Sequence, residues 1–434
     1  VPLVLTSGNR SDEPIAYRDG DAFEQLAGIA DAFLVHDREI HIRTDDAVTR
    51  PFRGSELVLR RSRGYAPRPL RLPWPFPRPV LATGAELKST FCVAKGHHAF
   101  VSHHIGDLEN YETYASFTQG IEHFCRLFDV APEVVAHDLH PEYLSTKYAS
   151  DPAEHGLPAV DLVGVQHHHA HIASCLADND EAGPVLGVAF DGLGWGPDGT
   201  IWGGELLVAD LAGYQRVGHL VPVAMPGGTA AIKEPWRMAA AYLGDDAPAG
   251  LRARHDARWE AIVSMARTGT SSPLTSSAGR LFDAMAATLG IRDAVNYEGQ
   301  AAIELEQRAD PTVLDGYPMT VAEGATLRLA GADLIRAATA DLAAGVPVPT
   351  IAARFHNGLA AAVAEACTRL RDEHGLATVA LSGGVFQNLL LLGRLVDGLE
   401  ARGFRVLVHS RVPPNDGGIS LGQAAVTGAL DRAR

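Results

Sequence analysis

The chain has 434 residues, with 52 Asp plus Glu against 37 Lys plus Arg and a formal charge of −15, so a large core spread over two or three domains is expected. The acidic balance disfavours a nonspecific nucleic-acid surface or an anionic membrane and points to small-molecule and protein partners. No apolar run reaches the roughly 18 residues of a membrane span, and Cys92, Cys125, Cys175 and Cys367 lie far apart without a Cys-x-x-Cys, which excludes a disulfide framework or zinc knuckle and fits a reducing cytoplasm.

In chain order, Val1 to Asn9 reads as a strand running into a polar turn in the middle of a domain, so the chain is expected to be a fragment of a longer polypeptide. An amphipathic helix is predicted around Asp19 to Ala32, followed by a polar turn at Arg43 to Ala47. From Pro67 to Pro79 prolines alternate with Arg, Leu, Trp and Phe, which predicts an extended polyproline linker and neither helix nor central strand. Beyond it strands and helices alternate as in an α/β protein. Strands are predicted at 91–94, 134–136, 159–165 and 185–190, and a helix at 170–177. Near the C-terminus come a strand and glycine turn over 378–385, a helix at 386–402 and a strand at 404–408.

The most informative stretch is Val165-Gln-His-His-His-Ala-His-Ile172. On a helix, His167 and His171 project from one face and can grip one divalent ion. Asp191, after a strand, and Asp416, in Pro414-Asn-Asp-Gly-Gly418, add hard oxygen ligands, a set that suits iron or zinc with a position open for substrate. His168 and His169 are spare imidazoles and candidate bases, although the same helix turns them off the ligand face.

Glycine turns follow three predicted strands, where amides can approach phosphate. They nominate Gly192, Gly194, Gly203, Gly204, Glu205, Ser382, Gly383, Gly384 and Asn388 for a nucleotide, with Asp283 and Glu298 for ribose hydroxyls. Lys88, in the loop Thr83 to Phe91, could meet a phosphate or carbonyl oxygen. Ser7 and Asn9 would contact ATP only together with the rest of their domain, and Arg60, Arg61 and Arg63 are expected mainly to solvate the linker. The joint arrangement of turns resembles the actin-like ATPase (ASKHA) superfamily, in which two α/β lobes close over a nucleotide; the lobes would be about 80–184 and 185–434.

Eleven ordered segments make the resemblance more specific, among them Thr6-Ser-Gly-Asn9, Arg60-Arg-Ser-Arg-Gly-Tyr-Ala-Pro67, Gly84-Ala-Glu-Leu-Lys88, the histidine motif, Trp202-Gly-Gly-Glu205, Lys233-Glu-Pro-Trp-Arg237, Tyr297-Glu-Gly-Gln-Ala301 and Leu381-Ser-Gly-Gly-Val385. With these the sequence closely resembles the HypF family, the carbamoyltransferases of nickel-iron hydrogenase maturation. The resemblance implies that residues 1–66 are the C-terminal part of a YrdC-like α/β domain, which in the family makes carbamoyl-adenylate from ATP and a carbamate derived from carbamoyl phosphate. It implies that 80–434 are a TsaD-related ASKHA domain that moves the carbamoyl group to the C-terminal cysteine thiol of the partner HypE, for cyanide ligand synthesis. The family's metal would be held by His167, His171, Asp191 and Asp416. The acylphosphatase-like domain and paired Cys-x-x-Cys modules of the family do not occur in this sequence. Competing readings are O-carbamoyl transfer to a small molecule, threonylcarbamoyl transfer to tRNA, and a catalytically inert scaffold that docks maturation partners, against which His167, His171, Asp191 and Asp416 weigh.

Overall fold

The computed structural model describes residues 2–10, 13–157 and 160–434. Contacts divide the chain into two compact units, one formed by residues up to Val165 together with Ser410–Arg434 and the other by Gln166–His409. The division therefore falls before the histidine helix, not after it at residue 184 as the sequence suggested, and the C-terminal residues return to the first unit.

In the first unit, α1 (Asp19–Gln25) buries none of its residues and stops well short of Ala32. Helical propensity alone does not sustain so short a segment without a packed apolar face. The expected strand before Ser7 is irregular, with Leu3, Val4 and Leu5 more than four-fifths exposed; Val1 lies outside the described residues. Strands β1 (Val48–Phe52) and β2 (Ser55–Arg60) form an antiparallel hairpin. Arg61, expected to solvate a linker, is instead buried, donating to the carbonyls of Val101, Tyr65 and Arg68. Arg60 faces Asp45 and Arg63 faces Asp46 at a more exposed surface.

The proline-rich stretch is not a linker. It is most of β3 (Leu70–Ala82), which lies inside a four-stranded sheet with β4 (Cys92–Val101), β5 (Val134–Asp138) and β6 (Asp161–Val165) in the order β4-β3-β5-β6. The sequence argument failed because Pro73, Pro75, Pro77 and Pro79 share the strand's period of two, so their missing donors all fall on one edge. Leu72 before them and Phe76 among them are buried, and Phe76 pairs with Gly96 of β4. On the proline edge only carbonyls are required: Pro79 accepts from the Glu133 N–H at 2.9 Å and Pro75 from Arg432 at 2.9 Å. Helices α2 (Tyr111–Phe128) and α3 (Leu144–Ser150) close a core in which Phe91 meets Phe117 and Phe124 edge-on. The C-terminal helix Ile419–Ala433 packs across β3, β4 and β5.

The second unit opens with α4 (His167–Asp178), capped by the Gln166 side chain, which accepts from the His169 N–H at 2.9 Å. Its sheet contains β7 (Val185–Trp195), β8 (Ile201–Ala209), β9 (Tyr214–Leu220), β10 (Val223–Ala224), β11 (Leu274–Thr275), β12 (Val321–Ala322), β13 (Leu327–Leu329), β14 (Thr378–Ser382) and β15 (Arg405–Leu407). The main path runs β12-β13-β9-β8-β7-β14-β15. Helices α5 (Thr229–Lys233), α6 (Trp236–Leu243), α7 (Ala249–Arg254), α8 (Asp256–Thr268), α9 (Ala278–Thr288), α10 (Gln300–Arg308), α11 (Gly331–Ala343), α12 (Val348–His374) and α13 (Leu389–Glu400) complete it. Because β14 runs parallel to β7, with Ser382 opposite Ala189, the carboxyl ends of both strands open at one place. That is where α/β sheets keep their sites. Among the described residues no helix is long and apolar enough to cross a membrane.

Candidate metal centre

His167 and His171 stand one helical turn apart on α4, both fully buried. Asp191 lies where the pairing of β7 with β8 loses register between Phe190 and Gly194, an irregularity that re-aims the strand toward α4. Its Oδ2 is 3.5 Å from His167 Nε2 and 3.7 Å from His171 Nε2. These separations exceed a normal hydrogen bond. They match instead the spacing of two ligands bound at about 2.1 Å to one tetrahedral ion, which is about 3.4 Å. The donor set and its convergence therefore fit zinc or iron(II). Burial alone would raise the Asp191 carboxyl, but the two facing imidazoles outweigh it and hold the group ionised, well below the usual carboxylate range. The other oxygen, Oδ1, accepts from the Gly384 N–H at 2.8 Å, so the turn after β14 fixes the carboxylate's orientation.

The spare histidines separate. His168 stays beside His167, with ring centroids 5.4 Å apart, and its Nδ1 meets Gln166 Nε2 at 3.2 Å. His169 points to the Asp210 carbonyl, 2.7 Å away, and packs on Tyr214. Burial lowers the pKa of both.

The glycine turns serve purposes that the sequence did not suggest. A Cβ on Gly194 would lie 2.4 Å from His168 Cε1 and 2.9 Å from His167 Cδ2, so this glycine makes room for imidazoles. Gly194→Ala is expected to lower stability by about 1–3 kcal/mol, read as the shift of a denaturant midpoint. An unchanged midpoint would mean that the rings move aside freely.

Glu205 is buried among its own neighbours. Its Oε1 accepts from the Gly203 and Gly204 amides at 3.1 and 3.2 Å and from Ser276 Oγ at 2.5 Å, and its Oε2 receives Arg216 Nε at 2.6 Å. Those two amides are thus engaged within the chain. Asn388 caps α13, and its Nδ2 donates to His356 Nε2 at 2.8 Å, while Ser382 Oγ lies 2.8 Å from His409 Nε2. Gly383 has φ +107°, and a Cβ there would sit 2.1 Å from the Phe190 carbonyl. Gly192 is different, since a Cβ would meet only Glu298 Oε1, at 3.8 Å. Asp283, nominated for a ribose hydroxyl, is buried against Arg280 at 2.7 Å, and burial raises its pKa. Gly192, Asp283 and Glu298 thus gather around the N-terminal half of α9.

In the first unit, Gly84 (φ +73°) exchanges two hydrogen bonds with the Gln423 amide, at 2.8 and 3.0 Å, and Thr90 Oγ1 reaches the Gly417 carbonyl at 3.0 Å and Ser420 Oγ at 2.7 Å. The loop carrying Lys88 is thereby fastened to the turn carrying Asp416. Lys88 itself has φ +47°, and its N–H donates to Asp107 at 2.7 Å. Ser7 and Asn9 hydrogen-bond one another at 2.6 Å in a turn far along the chain from either motif.

Glu86, in the same loop, accepts from the Leu144 N–H at 2.6 Å. Burial nevertheless pushes its carboxyl up to about 7. With the folded value above the unfolded one, its contribution to stability is complete below the ordinary carboxylate range and is lost as pH rises through about 7. Thermal melts from pH 5 to 8 should accordingly fall more steeply for the native chain than for Glu86→Gln. Parallel curves would contradict the assignment.

A family model described as "Carbamoyltransferase, Kae1-like Domain, second subdomain" matches residues 187–423, and one described as "HypF Kae1-like domain" matches residues 76–178. The chain belongs to the HypF carbamoyltransferase family. A further model, described as "Telomere recombination" and covering the Sua5, YciO and YrdC proteins, matches residues 1–62. Carbamoyltransferase HypF2 of Cupriavidus necator is 41% identical over 99% of this chain and 56% of its own length, and a HypF homolog of the same organism is 39% identical over 80% of this chain and 91% of its own. HypF of Synechocystis is 40% identical over 97% of this chain and 56% of its own length. The chain thus spans about half the length of most of the curated HypF proteins it matches. A crystal structure of full-length HypF in a phosphate- and nucleotide-bound form superposes with a TM-score of 0.94 at 41% identity, covering 98% of this chain and 67% of that one. T. kodakarensis HypF superposes at 0.89 with 32% identity, covering 99% of this chain and 58% of that one.

For a HypF-family chain, sequence reasoning overlooked two participants and one contact of a nominated glycine. Gln166 caps the histidine helix and steadies His168; its place before a polar helix start was the available signal. Ser277 Oγ lies 3.0 and 2.8 Å from the Asp191 and Gly192 carbonyls while capping α9. The Gly384 amide on Asp191 had no sequence signal, since 193 residues separate them.

Proposed function

We propose that this chain transfers a carbamoyl group from carbamoyl-adenylate to the C-terminal cysteine thiol of a HypE-type acceptor, a step of cyanide ligand synthesis for nickel-iron hydrogenase. The observation that carries the reading is the convergence of His167, His171 and Asp191 at ligand spacing, in a chain of the HypF family. Asp416 is proposed as the fourth ligand. When bound, iron or zinc supplies a Lewis acid that polarises the carbamoyl or phosphate oxygen. The remaining work falls to the chain. Gly192, Asp283 and Glu298 face the adenylate, and Lys88 offers a positive charge to a phosphate or carbonyl oxygen. The acceptor sulfur forms a bond to the carbamoyl carbon, the bond from that carbon to the phosphate oxygen breaks, and AMP leaves with the electron pair. The thiol proton passes to a base, for which His168, held by Gln166, and His169, held by the Asp210 carbonyl, are the two spare imidazoles proposed.

Residues 1–66 are proposed as the end of a YrdC-like domain, whose complete form would make carbamoyl-adenylate from ATP and carbamoyl phosphate in the cytoplasm. The test is intact-mass spectrometry of the acceptor after incubation with carbamoyl-adenylate and this chain, with metal and after stripping by a chelator. One carbamoyl increment on the terminal cysteine, lost on stripping and regained with zinc or iron(II), is the expected result. No increment with metal demonstrably bound would sink the reading.

A further inference from the structure

Three buried side chains of the second unit form a line that the transfer reaction does not itself employ. Ser382 Oγ is 2.8 Å from His409 Nε2, and His409 Nδ1 is 3.5 Å from Asp178 Oδ2. Nε2 and the Ser382 hydroxyl share a hydrogen bond whose direction follows the imidazole's tautomer, and the Asp178 carboxylate faces Nδ1 from just beyond normal hydrogen-bond range. The order Ser-His-Asp is that of a nucleophile triad, but Ser382 and both side chains beyond it are fully buried, and no acyl carbon can approach the hydroxyl.

What the line connects is more informative. Asp178 is the last residue of α4, the helix that carries His167 and His171. Ser382 ends β14 and leads through Gly383 into Gly384, whose amide holds Asp191 Oδ1 and leaves Oδ2 turned to the two imidazoles. A second strut runs alongside, where Asn179 Nδ2 donates to the Val408 carbonyl at 3.0 Å. The helix that supplies the histidine ligands and the strand whose following turn orients Asp191 are therefore joined at their backs through His409.

We infer that His409 is a positioning residue of the metal centre, which through Asp178 and Ser382 fixes the spacing between the histidine helix and the turn that orients Asp191. This rests on the metal reading above. Partners one step removed from a ligand typically change metal affinity ten- to a hundredfold when lost.

The test uses the full chain and cobalt(II) as the probe, with affinity from chelator competition and geometry from its visible absorption bands. His409→Ala is expected to weaken cobalt ten- to a hundredfold and to shift the bands, with the fold checked by circular dichroism. His409→Gln, whose amide can occupy the Nε2 position toward Ser382, should recover part of both. If His409→Ala fails to fold, Ser382→Ala, which removes one oxygen, provides the same comparison with a smaller expected loss. Unaltered affinity and bands in a folded variant, with the native chain binding one cobalt, would overturn the inference and leave the metal reading standing. A native chain that binds no cobalt would overturn both.

Discussion

His171→Ala is expected to lower both metal affinity and carbamoyl transfer by more than about a hundredfold, the upper end of what losing an outer partner costs a metal site. His171 is fully buried on α4 and faces Asp191 with His167, so no water of the bulk stands ready to replace the missing nitrogen. The lost imidazole also leaves the Asp191 carboxylate with one facing ring instead of two, and its pKa should rise. Chelator competition and single-turnover transfer should fall together. Transfer that survives with metal affinity gone would detach the chemistry from the ion.

Glu205→Ala should be the costliest change away from the metal, at roughly 3 kcal/mol, because it leaves a partly buried guanidinium and several donors without their buried acceptor. Glu205 binds Arg216, Ser276 and two consecutive glycine amides with its two oxygens. The estimate is held to the lower end of the range for broken buried pairs because Arg216 keeps Asp198 at 3.2 Å and the face of Trp202 at 4.0 Å. Urea unfolding measures it. A loss below about 1 kcal/mol would show that those partners suffice.

How far the site could be read from the sequence follows from the range over which each signal acts. The four-residue spacing of His167 and His171 and the strands ending at Phe190 and Ser382 are local patterns, and the structure keeps them as α4, β7 and β14. The role of Glu205 was hidden because Gly-Gly-Glu after a strand reads the same whether its amides serve a phosphate or a side chain two residues on. The line from Asp178 to His409 to Ser382 was invisible for a different reason, since only tertiary packing brings these positions together. The proline stretch misled because the rule against central-strand proline assumes that donors are needed on both edges, whereas β3 needs them on one over most of its length.

That one-sided strand has a consequence for how the chain behaves in company. Zippering of an open strand by a neighbouring molecule requires an alternation of donors and acceptors, and along Pro73 to Pro79 the free edge presents acceptors alone. Two of those carbonyls are already engaged by Glu133 and Arg432. A surface that would otherwise template intermolecular sheet growth during synthesis or heating is thus chemically mute, and the four prolines act as a built-in guard against aggregation.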